Sequence, residues 1–153
     1  MATPLDNTDR EILDVLARDG RISMRALAQT VHISRANAYD RVERLTTDGV
    51  IRGYHADIDP ELSGFGTSAY LTATIRQSHW RQIAERLHAL PGIAHIALVG
   101  ADFDAVLLVR ARDNADLRRL VLEEILAVDG VLNTRTLLVF EEPAIAPTKY
   151  ANG

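Results

Sequence analysis

LAQTVHISRANAYDRVERLTTDGVIRG, residues 27–53, reads as the end of one helix, a tight turn, a second helix and a glycine stop. In Met24 to Thr30 with Val31, the residues Leu27, Ala28 and Val31 fall on one face at helical spacing, and small Ala28 lets a second helix approach closely. Ser34 then suits an N-cap, because its hydroxyl accepts a hydrogen bond from an orphan amide of the following turn. The spacing predicts a helix from Arg35 to about Thr47, with Ala38, Val42 and Leu45 as its buried stripe. Ala36, Asn37, Asp40, Glu43 and Arg44 then face outward, Arg35 and Arg41 lie on the flanks, and Gly49 closes the helix. Two helices joined by so short a turn form a helix-turn-helix, whose second helix can lie in the major groove of DNA. Asn and Arg are suited to base edges there, and a bland helix pair with a solvated outer face fits the same pattern. Arg41, beside the buried stripe, is suited to a structural ion pair as well as to a phosphate contact.

The flanks extend this unit. Val50 to Ala56 reads as a short strand, the wing or linker strand of a winged variant. Leu5 to Arg18 reads as a supporting helix with Asp6 or Thr8 as cap and Ile12, Leu13, Leu16 and Ala17 inward. Residues 57–67 are loop-like and mark a domain boundary. They run into Gly64-Phe65-Gly66-Thr67-Ser68-Ala69, a G-x-G-x-x-A string without the strand before and helix after that a dinucleotide site needs.

From Ser68 the hydrophobic period changes from helical spacing to two. Ala69, Leu71, Ala73 and Ile75 alternate with Tyr70, Thr72 and Thr74 in a strand. Trp80 to Leu90 follows as a helix, then strands at Ile93 to Val99 and Ala105 to Ala111, a helix at Asn114 to Leu126 and a strand at Val131 to Phe140. The order βαββαβ predicts a ferredoxin-like antiparallel sheet with both helices on one face. The uncovered face is expected to pair subunits. The fold class is therefore α+β: residues 1–56 a winged helix-turn-helix domain, 57–67 a linker, 68–142 a ferredoxin-like assembly domain, and 143–153 a mobile tail.

The 153-residue chain is 47% hydrophobic, enough for two small cores. It has no cysteine, which excludes disulfides and thiolate chemistry. His32, His55, His79, His88 and His95 have no i, i+4 partner, and no nucleophile elbow or P-loop occurs, so no metal, cofactor or catalytic residue is expected. MATPLDNTDRE has neither a charged n-region nor an apolar h-region, and no run approaches a membrane span, which predicts a cytoplasmic protein without membrane contact. Net charge is −4. Residues 1–56 hold eight Arg against eight acidic residues, so DNA affinity is expected to depend on local geometry and on several copies binding together.

The residues Leu5-Asp6 with Asp9 and Ile12-Leu13, Gly20-Arg21-Ile22-Ser23, Leu27-Ala28, Ser34, Arg41-Val42 with Arg44-Leu45, and Gly49-Val50-Ile51 with Gly53-Tyr54 resemble the N-terminal half of the Lrp/AsnC (leucine-responsive, feast/famine) regulators. Gly100 with Asp104, Gly130-Val131 and Thr134-x-Thr136 resemble their effector-binding half, and the resemblance implies that residues 68–142 are a RAM/ACT-like sensor domain. The resemblance implies a transcription regulator that binds double-stranded operator DNA, assembles as a homodimer and higher oligomer such as an octamer, and responds to a small effector, typically an amino acid. Ser34, Arg35, Ala36, Asn37, Asp40, Arg41 and Arg44 are the candidate DNA-binding residues. Three positions depart from the family. His32 stands where glycine is usual, in a turn that can demand positive φ. Asp40 and Glu43 stand where basic residues are common, and either pair with nearby arginines or accept from a cytosine amino group.

On the residues alone, Gly100 to Asp104 is either a plain hairpin turn or an anion-binding nest, in which Gly100 takes an unusual backbone angle and Asp104 meets an ammonium group. The resemblance favours an effector site of Gly100, Ala101, Asp102 and Asp104, completed by Thr134 and Thr136 of an adjoining chain. Two alternatives share the fold: a sirohaem decarboxylase-like enzyme using His79, His88, His95 and Tyr70, and a stand-alone amino-acid sensor.

Overall fold

The computed structural model describes residues 4–100, 102–142 and 147–150. The chain divides into two compact units, Met1–Asp57 with Pro143–Gly153, and Ile58–Glu142.

The first unit is helical. Helix α1 (Asn7–Arg18) opens on a capping box: the Asp6 carboxylate accepts the Asp9 amide at 2.8 Å and the Asp9 carboxylate accepts the Asp6 amide at 3.1 Å. Helix α2 (Met24–Thr30) is capped by Ser23, and α3 (Arg35–Thr47) by Ser34, whose hydroxyl accepts the Asn37 amide at 3.2 Å. Ile12, Leu13, Leu16, Leu27, Val31, Leu45 and Ile51 form one core. Ala38 is fully buried, the small side chain that lets α3 seat closely. His32 turns the chain between α2 and α3 at φ 55, and the Ile33 amide thereby reaches the Ala28 carbonyl at 3.0 Å. Gly49, at φ 73, ends α3 and lets the Ile51 amide bond the Leu45 carbonyl at 3.0 Å.

Val50 to Ala56 does not form the expected strand; only Ile51 of this run is buried, and all strands among the described residues lie between Thr67 and Leu138. A strand needs a neighbour to complete its ladder, and this unit provides none. Tyr54 instead lies against Gly20, where a Cβ would come within 3.0 Å of its ring. Of the tail expected to be mobile, Tyr150 donates its backbone N–H to the Asp14 carboxylate.

The second unit is the expected βαββαβ: β1 (Thr67–Ile75), α4 (Trp80–His88) after a 3-10 turn at Gln77–His79, β2 (Ile93–Leu98), β3 (Ala105–Ala111), α5 (Asn114–Arg119) and β4 (Val131–Leu138). Helix α5 runs on as a π-helical segment, Leu120–Ile125. The last strand stops short of Phe140, which is exposed. Sheet order is β2-β3-β1-β4 with every neighbouring pair antiparallel. Ala69, Leu71, Ala73 and Ile75 of β1 and Ala105, Leu107, Val109 and Ala111 of β3 bury one face beneath Ile83, Leu87, Leu117, Leu120, Val121 and Ile125. On the other face Tyr70 sits between Leu108 and Leu137 in register, and Tyr70 and Leu137 are 40% and 52% exposed. Gly64-Phe65-Gly66 leads into a strand and not into a helix, as the rejection of the dinucleotide string requires.

Candidate nucleic-acid interface and effector loop

Helix α3 has two chemically distinct sides. Ser34, Arg35, Ala36, Asn37, Tyr39, Asp40 and Glu43 are exposed, while Ala38 and Leu45 face the core. Arg35 lies over the Tyr39 ring, 5.5 Å from its centroid, with Nη2 3.4 Å from the hydroxyl. This cation–π pair holds the guanidinium against the helix surface. Tyr39 was absent from the expected set, although its i, i+4 spacing from Arg35 was readable.

Arg41 and Arg44 turn toward α1. Arg41 Nη1 donates to Asp6 Oδ1 and Oδ2 at 2.9 and 2.7 Å and to Asp9 Oδ1 at 2.7 Å, and Arg44 Nη2 donates to the same Asp9 oxygen at 2.6 Å. Asp9 is 1% exposed, so this is a buried carboxylate neutralised by two cations. Burial raises its pKa, yet the hydrogen bonds from Arg44 and Arg41 and from the Asp6 amide outweigh burial and hold it below its ordinary value. Asp6 is lowered by the Asp9 amide and then by Arg41. Of the two roles open to Arg41, the ion pair is therefore formed. Arg44, expected at the outer crest, is only 30% exposed and shares that pair. Asp40 and Glu43 have no basic partner among the described residues; Arg41 and Arg44 are engaged by α1 instead. Exposed Arg21, Arg25 and Arg52 lack a carboxylate partner among the described residues, which leaves them as further cations outside α3.

At the other candidate site the Asp104 carboxylate is engaged within its own chain. Its Oδ1 accepts the Gln77 side-chain amide at 2.5 Å and its Oδ2 accepts the Ile75 backbone N–H at 2.9 Å. These bonds, Gln77 first, hold its pKa below the ordinary value. Asp104 thus ties the β2–β3 loop to the end of β1. Gly100 and Asp102 are exposed, and Ala101 lies outside the described residues. Gly100 does not take the unusual backbone angle expected of it: the glycines at positive φ among the described residues are Gly49, Gly53, Gly64, Gly92 and Gly130. Loop closure therefore needs no left-handed residue at Gly100.

Thr134 pairs with Ala73, whose other neighbour is Ala105 beside the loop, so Thr134 stands two strands away, roughly 10 Å. Thr136, opposite Leu71, lines a cavity of about 400 Å³ with Leu117, Arg118, Val121, Leu122 and Leu138. One chain thus brings Asp104 and Thr134 to the same end of the sheet and leaves Thr136 beneath α5. His88 and His95 line another hollow with Trp80 and Glu85, whereas Tyr70 stands on the uncovered sheet face and His79 in the turn before α4.

Residues 5–52 match the family of winged helix-turn-helix DNA-binding domains, and residues 68–148 match the Lrp/AsnC ligand-binding domain. The chain belongs to the Lrp/AsnC family. Among its Lrp/AsnC relatives, the HTH-type transcriptional regulator AldR of Mycolicibacterium smegmatis is 36% identical over 92% of this chain and 84% of its own. The leucine-responsive regulatory protein of Klebsiella pneumoniae is 35% identical over 90% and 86%. A Neisseria meningitidis transcriptional regulator crystallised with L-Met superposes with a TM-score of 0.85 at 26% identity, over 95% of this chain and 96% of that one. As an Lrp/AsnC protein this chain is a DNA-binding transcription regulator that responds to a small effector, with α1–α3 in the DNA-binding half and the four-stranded sheet in the ligand-binding half. No helix among the described residues is long and apolar enough to cross a membrane.

Proposed function

We propose that this cytoplasmic regulator binds operator DNA as a homodimer or higher oligomer up to an octamer, and that an amino acid controls the assembly. The observation that carries the assembly is the uncovered sheet face, where Tyr70, Leu108 and Leu137 stand side by side with no helix over them. Apolar surface left bare on a sheet is a pairing surface, and a twofold axis through it presents two α3 helices to two half-sites. Ser34, Arg35, Ala36, Asn37 and Asp40 form the base-reading face, and Arg41 and Arg44 stand behind it.

The effector is assigned to the Gly100–Asp104 loop and Thr134, with Ala101 and Asp102 in the loop and Thr136 contributed by an adjoining chain. An amino acid suits this place because Gly100 and Asp102 are exposed beside Asp104, which, ionised by its two donors, retains lone pairs for an ammonium. The L-Met carried by the Neisseria meningitidis relative supports the ligand class. A ligand acts through assembly only if it binds one assembly more tightly than another. A regulator is favoured over an enzyme because residues 5–52 match the winged helix-turn-helix DNA-binding domains and the relatives over nearly the whole chain are transcriptional regulators.

The test is a mobility-shift titration against the chain's own upstream DNA with and without a panel of amino acids, paired with sedimentation under the same conditions. A specific shift and a mass that one amino acid changes together are expected. A shift that no amino acid alters would refute the effector assignment.

A further inference from the structure

On the reading that the exposed face of α3 contacts bases, the hydrogen bonds behind that face determine which base Asn37 selects. Arg41 Nε donates to Asn37 Oδ1 at 2.7 Å. A guanidinium has no acceptor, so chemistry fixes the amide orientation: oxygen toward Arg41, NH₂ away from it. Arg41 cannot swing aside freely, because Asp6 and buried Asp9 hold its Nη1, and Asp9 is in turn gripped by Arg44. The outward group of an exposed Asn37 is therefore a two-donor NH₂ with a cation behind it.

The bidentate contact of Asn with adenine needs a free amide oxygen to accept from the adenine N6 amino group and an N–H to donate to N7. Here one of the two lone pairs of the oxygen is taken by Arg41, and an N6 amino group accepted by the other would be brought toward the Arg41 charge. Guanine offers two acceptors in the major groove, N7 and O6, which match two donors. We propose that Asn37 reads guanine in place of adenine, with Arg41 as the positioning residue that sets its donor polarity and Asp9 as the anchor of Arg41.

Site selection from randomised duplex DNA with the full-length chain tests this. Substituting Asn37→Ala identifies the base pair whose preference it carries. That base is expected to be guanine, with replacement by adenine weakening wild-type binding about tenfold or more and Asn37→Ala binding both equally. Arg41→Met frees the amide oxygen and should move the preference toward adenine, a change that simple loss of stability does not produce. Should Arg41→Met fail to fold, exposed Asn37→Asp serves: it keeps a bond to Arg41, removes both donors and should abolish the guanine preference. Adenine at that position in the wild-type site overturns this inference and leaves the α3 reading intact. A selected sequence that Asn37→Ala leaves unchanged overturns the α3 reading at Asn37 itself.

Discussion

Replacing Asp9 by Asn tests whether the α1–α3 clamp holds the DNA-binding half together. The substitution keeps the shape but removes the charge that accepts Arg41 and Arg44 at 2.7 and 2.6 Å. Two hydrogen bonds to a charged group are worth about 1.5–3 kcal/mol each. Part of that is recovered, since Arg41 keeps Asp6 and both arginine side chains, 23% and 30% exposed, can rehydrate. The net loss is expected near the lower end of the roughly 3–5 kcal/mol for breaking a buried pair, about 3 kcal/mol. Urea unfolding of the full chain measures it with two probes. Far-UV circular dichroism follows the helices of both units, and Trp80, the one tryptophan, reports the second alone, so a helical transition that Trp80 does not see belongs to the first. With a slope of about 1 kcal/mol/M for so small a unit, the helical midpoint should fall by about 2–3 M while the Trp80 transition holds. Asp6 and Asp9 both have lowered folded pKa values, so their stabilisation is present above the ordinary 3.8 and is lost as pH falls below it through the folded values. The Asp9→Asn chain should therefore lose less of its remaining stability in acid than the wild type does. A loss under about 1 kcal/mol, or an acid limb as steep as the wild type's, would refute a structural role for the clamp.

Gly92→Ala should destabilise the second unit by about 3 kcal/mol or more, because φ is 88 and the added Cβ would lie 2.4 Å from the Arg110 backbone carbonyl. Gly130→Ala should cost less, since its contact at 2.5 Å is the end of the Ile83 side chain; Trp80-detected melting ranks the two, and the reverse order would refute this. His32→Gly relieves a left-handed residue worth about 1–2 kcal/mol against a glycine entropy cost of about 0.5–1, so a gain of about 0.5 kcal/mol is expected in the helical transition. A clear loss would mean that the exposed imidazole makes a stabilising contact. Leu137→Glu places a charge on the uncovered face at an exposed position, and should leave melting unchanged while sedimentation shows a smaller species. An unchanged mass would remove that face from the assembly.

The elements most legible in the sequence are those whose pattern is local. Ala38 and Leu45 marked the buried side of α3, Ser34 its cap, and the switch to alternation at Ser68 the start of the sheet. His32 was readable too, since a turn that favours glycine demands the positive φ observed. What was illegible depends on partners distant in sequence. Val50 to Ala56 has strand-like residues but no neighbour to ladder with, and a strand is a property of a pair. Helical spacing points the Arg44 Cα–Cβ direction outward, yet a long side chain can curl back, and its partner Asp9 is 35 residues away. Asp104 was read as free for a ligand because neither Ile75 nor Gln77 is near it in the chain.

The clamp also bears on how such a protein can be controlled. Eight arginines balance eight acidic residues in residues 1–56, and two of those arginines are spent on Asp6 and Asp9. Affinity for DNA scales with the phosphates neutralised, and Arg21, Arg25, Arg35 and Arg52 are a small set for one subunit. On the proposed reading single-copy binding is weak, and simultaneous engagement of several half-sites is decisive, a gain of roughly 10²–10⁴ that vanishes when geometry forbids it. On the proposed reading, an effector that shifts assembly by the 1–3 kcal/mol typical of coupled sites is thereby amplified at the operator, whereas a tightly binding monomer would leave it little to control. On the proposed reading the neutral DNA-binding half and the bare sheet face are two parts of one device: the first makes assembly necessary, and the second makes it available.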